Sequence, residues 1–184
     1  MRLLSGSIGL VICALLIGAC GTTRTLDPGN TPTGAPRLEA TERYAHVLHA
    51  AAEEWDGTPH QWGGTSEDGV DCSGLVQTIY RDSLDQSLPR TTAEQSQIGA
   101  SVSPDDLQPG DLVFFRVDTR TGRHVGMYLS NGDFLHASSQ GGVSVSSLQA
   151  PYWQTRWWQA RRVLPQPQSA GAEPSTAAGA TVGW

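Results

Sequence analysis

The hydrophobic pattern of this chain changes once, at a turn, and that change restricts the fold more than any other feature. The segment QPGD, residues 108–111, combines proline and glycine and indicates a turn. Before it, apolar residues recur at helical spacing. After it, short apolar runs are typical of strands. Helices followed by strands that pair in an antiparallel sheet predict the α+β class.

Three helices are predicted before the turn. Residues 38–55, LEATERYAHVLHAAAEEW, carry a single apolar stripe. A second helix starts near Asp71, and we expect its buried face to consist of Leu75, Val76, Ile79 and Tyr80. The third lies within residues 90–99, RTTAEQSQIG, where Thr91 and Glu94 have the spacing of a capping box. These helices come before all of the predicted strands.

Five strands are predicted after the turn. Asn131-Gly132 is a hairpin signal, and the strands on either side of it carry His124 and His136. The last strand is expected to close the sheet. The segments are 112–117 (LVFFRV), 123–130 (RHVGMYLS), 134–139 (FLHASS), 142–147 (GVSVSS) and 157–164 (WWQARRVL).

The register of this hairpin decides whether the two histidines share a face. A two-residue loop, Asn131-Gly132, pairs His136 with Met127 and turns His124 to the opposite face. A three-residue loop that includes Ser130 puts both histidines on one face. The second register separates an apolar face from a mixed one, as a half-buried hairpin requires, and we therefore choose it.

The N-terminal residues 1–19 have the layout of an export signal, with a basic start and a short apolar core. The ending LIGAC resembles a bacterial lipobox, which implies that Cys20 is acylated. The alternative is an ordinary signal peptide that is cut nearby. Gly21, not aspartate, follows the cysteine, and by resemblance to Gram-negative lipoproteins this favours the outer membrane, on its periplasmic side.

Composition divides the remaining chain into a folded part and two flanks. Residues 20–37 are rich in Thr, Pro and Gly and predict a flexible tether. Residues 165–184 are of low complexity and predict a disordered tail. The folded domain is therefore expected over 38–164. The net charge of −6 argues against binding nucleic acid through bulk charge. We expect a monomer without a cofactor.

Cys72 is the only free thiol expected in the mature chain, since Cys13 leaves with the signal and Cys20 carries lipid. Two interpretations remain open: a reactive thiol in an exported protein, or a small buried hydrophobe. Its predicted place at a helix start, with Asp71 as N-cap, can lower a thiol pKa from about 8.5 to roughly 3.5–7.5 when a cationic neighbour is present. The negative charge of Asp71 opposes that effect.

A thiol nucleophile needs a basic partner, and the hairpin supplies two candidates. We interpret Cys72 as the nucleophile, His124 as the general base and imidazolium partner, and His136 as the group that orients His124. His46 and His49 are interpreted as surface residues of the first helix. The alternative is that both hairpin histidines are structural.

The chain resembles the NlpC family of papain-like cysteine peptidases over about residues 40–164. The matching motifs are GTPHQWGG, DCSGLVQ, LPRTTAEQ, LQPGDLVFF, RHVGMYLSNGDFLHASS and YWQTRWWQARRV. The resemblance implies a papain-like fold with helices packed on an antiparallel, partly barrel-like sheet. It also implies a Cys72–His124–His136 site that hydrolyses amide bonds in murein stem peptides or cross-links.

His60 stands where that family usually has tyrosine, and we expect it to line the site and alter its behaviour without abolishing it. We assign His60, Asp71 and Ser73 to substrate binding. The alternative function is a non-catalytic murein-binding lipoprotein with a degenerate site. A zinc site lacks the usual ligand signatures, so no metal is expected. An acyltransferase with the same thiol chemistry remains open.

Overall fold

The computed structural model describes residues 35–118 and 122–165. The predicted signal, Cys20 with its predicted acylation, most of the predicted tether and nearly all of the predicted tail lie outside these residues. The helices are α1 (Ala35–Trp55), α2 (Cys72–Leu84), α3 (Thr92–Gln95) and α4 (Pro151–Gln154), with a 3₁₀ turn at Pro104–Asp106. The strands are β1 (Thr65–Ser66), β2 (Gly69–Val70), β3 (Ala100–Val102), β4 (Leu112–Arg116), β5 (Arg123–Ser130), β6 (Asp133–Ser138), β7 (Gly142–Ser147) and β8 (Trp157–Arg162).

An antiparallel six-stranded sheet forms the centre of the fold, in the order β3-β8-β4-β5-β6-β7. The helix α2 packs against β5 and β6, and α1 contacts α2, β5 and β7. Helices packed on an antiparallel sheet confirm the predicted α+β class. None of the helices in the described part of the chain is long and apolar enough to cross a bilayer.

The second helix starts where the sequence predicts. Asp71 has extended backbone angles, and its side chain accepts a hydrogen bond from the backbone N–H of Gly74, so it is the N-cap. The four residues of the predicted buried face are at most 1% exposed: Leu75, Val76, Ile79 and Tyr80. Asp85 ends the helix in the left-handed conformation.

The sheet is covered on both faces. One face packs on α1 and α2 through a large cluster that includes Val125, Met127 and Leu135. The other face carries a smaller aromatic cluster of Val113, Phe115, Val117, Phe134 and Ala160, against which Trp153 and Trp157 pack. The face predicted to be mixed is therefore also buried, because aromatic side chains of α4 and β8 pack against it.

The β5–β6 hairpin combines the two registers considered for it. Its body pairs Met127 with Leu135 and Tyr128 with Phe134, as the chosen register requires. Ser130, however, pairs with Asp133, and a β-bulge lies between Tyr128 and Ser130. The three-residue loop is therefore wrong: the loop is Asn131-Gly132, with both residues at positive φ, as in a type I′ turn. The bulge restores the register that puts both histidines on one face.

The other differences between the predicted and the observed elements concern short helices and strands. The capping box of Thr91 and Glu94 is confirmed, but α3 ends at Gln95 and is shorter than the predicted segment. Four elements have no counterpart among the predicted ones: the two-residue strands β1 and β2, the edge strand β3 and the helix α4. Elements of two to four residues are too short to show a hydrophobic period.

Candidate active site

Cys72 occupies the first turn of α2 and is 7% exposed. Its Sγ atom lies 3.7 Å from Oγ1 of Thr92. Burial raises the pKa of the thiol, and hydrogen bonds from the backbone of Val125 and from Thr92 offset only part of that effect. The lowered pKa expected from the helix start is therefore wrong, because loss of solvation outweighs the helix terminus. The resting group is a neutral thiol.

Beside the thiol, Asp71 forms the centre of a polar cluster that we call the Asp71 brace: Asp71, Ser73, Arg90 and the backbone N–H groups of Gly63 and Gly74. The carboxylate accepts bonds of 2.9 Å from Gly63 and 2.7 Å from Gly74. Ser73 Oγ donates to it at 3.1 Å, and Arg90 donates twice, at 2.9 and 2.7 Å. The brace ties the loop before α2 to the start of the helix.

Close backbone approach is part of the brace. A Cβ atom on Gly74 would lie 2.3 Å from the carbonyl oxygen of Gly64, so only glycine allows the loop to pack here. Burial raises the pKa of Asp71, but hydrogen bonds from Arg90, Gly74 and Gly63 outweigh it and leave the pKa below its usual value. The polar atoms of Asp71 and Ser73 already have intramolecular partners, so their contact with substrate stays a prediction.

The two hairpin histidines lie in direct contact, His124 on β5 and His136 on β6. Nε2 of His124 is 3.0 Å from Nδ1 of His136, and the rings are nearly perpendicular, at 84°. Nε2 of His136 is in turn 2.9 Å from Oγ of Ser146 on β7. The structure thus brings together the two histidines predicted to work together, although their catalytic roles stay predictions.

Aromatic rings enclose both imidazoles. Trp153 of α4 stacks on His124, with 5.5 Å between ring centroids, and presents an edge to His136 at 4.9 Å. Phe134 stacks on His136 at 5.0 Å. Gly126 leaves space for this ring, since a Cβ atom there would lie 2.6 Å from Phe134. The histidines are only 7% and 2% exposed.

This enclosure determines the charge of the histidines. Burial, with smaller contributions from the charges of His136 and His60, lowers the pKa of His124 to about 3. Burial also lowers the pKa of His136 to about 4. Both rings are therefore neutral near pH 7. A neutral imidazole beside a neutral thiol can act as a general base, rather than as half of a preformed ion pair.

Two pockets meet at Cys72. A cavity of about 180 Å³ is lined by His60, Trp62, Cys72, His124, Tyr152 and Trp153, among others. A second cavity, of about 390 Å³, extends from Cys72 and Trp62 toward Arg90 and Ala93, and Asp71 and Ser73 also line it. An extended chain could therefore pass the sulfur with room on either side.

His60 lies in the first cavity, as the sequence predicts. Its backbone pairs with that of Val70 in an isolated parallel β-bridge. Its ring makes an edge-to-face contact with Trp62, with 5.1 Å between ring centroids. Its role in substrate binding stays a prediction. The tryptophan-rich segment YWQTRWW contributes both to the cleft and to the core, because Trp153 lines the cavity and Trp157 packs in the second cluster.

Three contributors to the site were not foreseen: Arg90, Ser146 and Trp153. Arg90 precedes the capping box, and Ser146 lies on the same face of β7 as Ser144, but neither feature signals a contact with the site. Within residues 35–118 and 122–165, no group of three or more His, Cys, Asp and Glu side chains is arranged to hold a metal ion. The facing nitrogens of His124 and His136 bond to each other.

Comparison with known proteins gives the site a context. Residues 57–162 match the model of the NlpC/P60 family. The chain is 41% identical to the probable endopeptidase NlpC of Escherichia coli K12, over 84% of this chain and 97% of that protein. It is 37% identical to the murein DD-endopeptidase MepS/murein LD-carboxypeptidase of the same organism, over 89% and 95%.

A solved structure extends the similarity to three dimensions. A NlpC/P60 family protein from Bacillus cereus superposes with a TM-score of 0.60 at 36% identity. The match covers 66% of this chain and 40% of that one, so the Bacillus protein contains further regions that this chain does not match.

Proposed function

The chain belongs to the NlpC/P60 family, and on that premise we propose that it is a peptidoglycan hydrolase, a cysteine endopeptidase that cuts amide bonds in murein stem peptides or cross-links. Relatives named as murein endopeptidases support the substrate class. One observation carries the proposal: a buried thiol and a neutral imidazole line the same cavity, and a second imidazole holds the first by a 3.0 Å bond.

The chemistry is acyl transfer through Cys72. Nε2 of His124 is engaged by His136, so Nδ1 is the nitrogen left for the thiol. It takes the thiol proton as sulfur attacks the substrate carbonyl. The resulting imidazolium gives that proton to the leaving amine as the C–N bond breaks. Water then attacks the thioester, with His124 again acting as the base, and the acid and free thiol are released.

Two features of the site support these steps. The backbone N–H at the start of α2 is suited to stabilise the oxyanion, because donors at a helix start have no partner within the helix. The aromatic enclosure keeps His124 neutral until the thiol proton arrives. His136 orients the base and does not touch substrate.

Digestion of purified murein tests the proposal. The full chain should release soluble muropeptides from sacculi, and mass spectrometry of the products identifies the bond that is cut. Cys72→Ala should release none while keeping the wild-type circular dichroism spectrum. Sacculi that bind the wild-type chain yet release nothing at any pH would instead favour the non-catalytic murein-binding function.

The position in the cell is a separate proposal. The sequence LIGAC supports acylation of Cys20 and an anchor in the outer membrane, on the periplasmic side, where the chain acts on murein as a monomer. Cys20→Ser should move the protein from the membrane fraction to the soluble fraction. A variant that still sediments with membranes would show that the anchor lies elsewhere.

A further inference from the structure

A chain of hydrogen bonds leads from the active site to the far strand of the sheet. Nε2 of His124 meets Nδ1 of His136 at 3.0 Å, and Nε2 of His136 meets Oγ of Ser146 at 2.9 Å. A neutral imidazole has one N–H and one lone pair, so each bond in this chain has a direction. The N–H and O–H donors can all point toward Ser146 or all point away from it. The two arrangements differ in which nitrogen of His124 carries the proton.

Only one direction leaves His124 able to act as a base. Its Nδ1 must carry a lone pair to accept the thiol proton, so its own proton must sit on Nε2. That N–H donates to Nδ1 of His136, which places the proton of His136 on Nε2. This second N–H needs an acceptor, and the hydroxyl oxygen of Ser146 is the atom in reach.

The opposite direction blocks the reaction. If the hydroxyl of Ser146 donates to Nε2 of His136, the proton of His136 sits on Nδ1 and donates to His124. His124 then carries its own proton on Nδ1, the nitrogen left for the thiol, and cannot accept another. Both arrangements contain the same number of hydrogen bonds. Whether the hydroxyl of Ser146 donates to His136 or accepts from it therefore decides which arrangement is populated.

We infer that Ser146 is a positioning residue, whose hydroxyl accepts the Nε2–H of His136 and thereby holds His124 in the tautomer that can accept the thiol proton. The inference rests on the proposed function. Ser146 does not touch substrate, and it acts only through His136. In metal sites, partners one step removed hold imidazoles in the same way.

The surroundings of His136 leave its ring few hydrogen-bond partners other than His124 and Ser146. Its faces are covered by Phe134 and Trp153, and 2% of the residue is exposed. Burial lowers its pKa to about 4, so the ring holds one proton for two nitrogens near pH 7. Ser146 is half-buried on β7, unlike the almost fully buried His136. A half-buried hydroxyl that accepts from His136 need not leave its own proton without a partner.

The same strand provides a matched control. Ser144 pairs with His136 across the β6–β7 ladder, and Ser146 pairs with Phe134. Because side chains alternate along a strand, Ser144 and Ser146 lie on one face of β7. Within the described residues, the hydroxyl that shares a hydrogen bond with His136 is that of Ser146. Ser144→Ala therefore removes the same hydroxyl from the same strand without touching the hydrogen-bond chain.

Nuclear magnetic resonance tests the inference directly. Long-range ¹H–¹⁵N correlation spectra of the ¹⁵N-labelled full chain distinguish the two imidazole tautomers. In the wild type, both histidines should carry their protons on Nε2. Ser146→Ala should move the proton of His136 to Nδ1, whereas Ser146→Thr and Ser144→Ala should not. A wild-type His136 protonated on Nδ1 would overturn the inference without any variant.

Two rate measurements complete the test. With murein, Ser146→Ala should lower kcat about tenfold to a hundredfold, the scale of a buried N–H that loses its acceptor, with KM unchanged. Ser146→Thr should restore the rate. Alkylation of Cys72 by iodoacetamide near pH 7 should slow in Ser146→Ala as well, and this assay needs no murein. Unchanged alkylation together with an unchanged tautomer refutes the role of Ser146, whether or not the chain cuts murein.

Discussion

The two halves of the active site are held by opposite means. On the helix side, the Asp71 brace positions Cys72 through a charged pair and several directional hydrogen bonds. On the sheet side, Phe134 and Trp153 enclose two uncharged histidines, and few polar bonds are present. One half is fixed by charge and geometry, and the other by apolar burial.

The difference follows from what each side chain must do. The nucleophile has to be placed at a helix start, where backbone donors need an acceptor and Asp71 supplies it. The base has to remain neutral until it receives a proton, and burial achieves this by disfavouring the charged form. A carboxylate beside His124, like the one at the centre of the brace, would instead raise the pKa of His124 and favour the imidazolium.

Removal of the brace should have the largest effect. Asp71→Ala leaves Arg90 without its partner and removes the N-cap of α2, so we expect the free energy of unfolding to fall by about 3 kcal/mol. The kcat/KM for murein should fall close to background, because Cys72 loses its fixed position. Urea unfolding and muropeptide release measure the two effects.

A charged pair within α2 serves as the control. Arg81 and Asp82 form a 2.6 Å salt bridge near the end of α2, but both are exposed. Because exposed pairs contribute little to stability, Asp82→Ala should leave unfolding and activity unchanged. If Asp71→Ala proved no more disruptive than Asp82→Ala, the brace would not be what positions the cysteine.

Removal of the aromatic cover should have a smaller effect on stability and a distinct effect on pH dependence. Trp153→Ala exposes His124 and His136, so their pKa values should rise toward 6.5. His124 works as a base only when it is neutral, and activity is therefore retained above its pKa. A higher pKa moves the acid limit of kcat/KM to higher pH. Partial burial of Trp153 suggests a stability loss of about 2 kcal/mol.

Trp158 provides the comparison for this variant. It packs on Phe114 with 6.3 Å between ring centroids, on the face of the sheet that carries α1 and α2. Trp158→Ala should also lower stability but leave the acid limit in place. Equal shifts of the acid limit in both variants would mean that general loosening, rather than exposure of the histidines, is responsible.

The helix side and the sheet side of the site also differ in how far a sequence pattern predicts them. The start of α2 at Asp71 and the shared face of His124 and His136 follow from local signals, a capping residue and a period of two. The cover by Trp153 depends on where a four-residue helix meets the sheet, and no local period encodes that contact. The raised pKa of Cys72 has the same origin, because burial depends on the whole fold.

His60 lies between the two halves, and its replacement should have the smallest effect. A positive charge on His60 repels an imidazolium at His124 and contributes, after burial and His136, to the lowered pKa of His124. His60→Tyr and His60→Gln remove that charge. Both should raise the pKa of His124 slightly and move the acid limit of kcat/KM upward, by less than Trp153→Ala does.

The two substitutions at His60 differ in shape but not in charge, and that difference makes the prediction specific. Equal shifts of the acid limit in both variants identify charge as the cause, whereas a change of KM in only one variant points to substrate fit. His49→Tyr, at an exposed histidine on α1, should change neither quantity. If the acid limit stays fixed in both His60 variants, the two halves of the site set the protonation of His124 without help from the cavity between them.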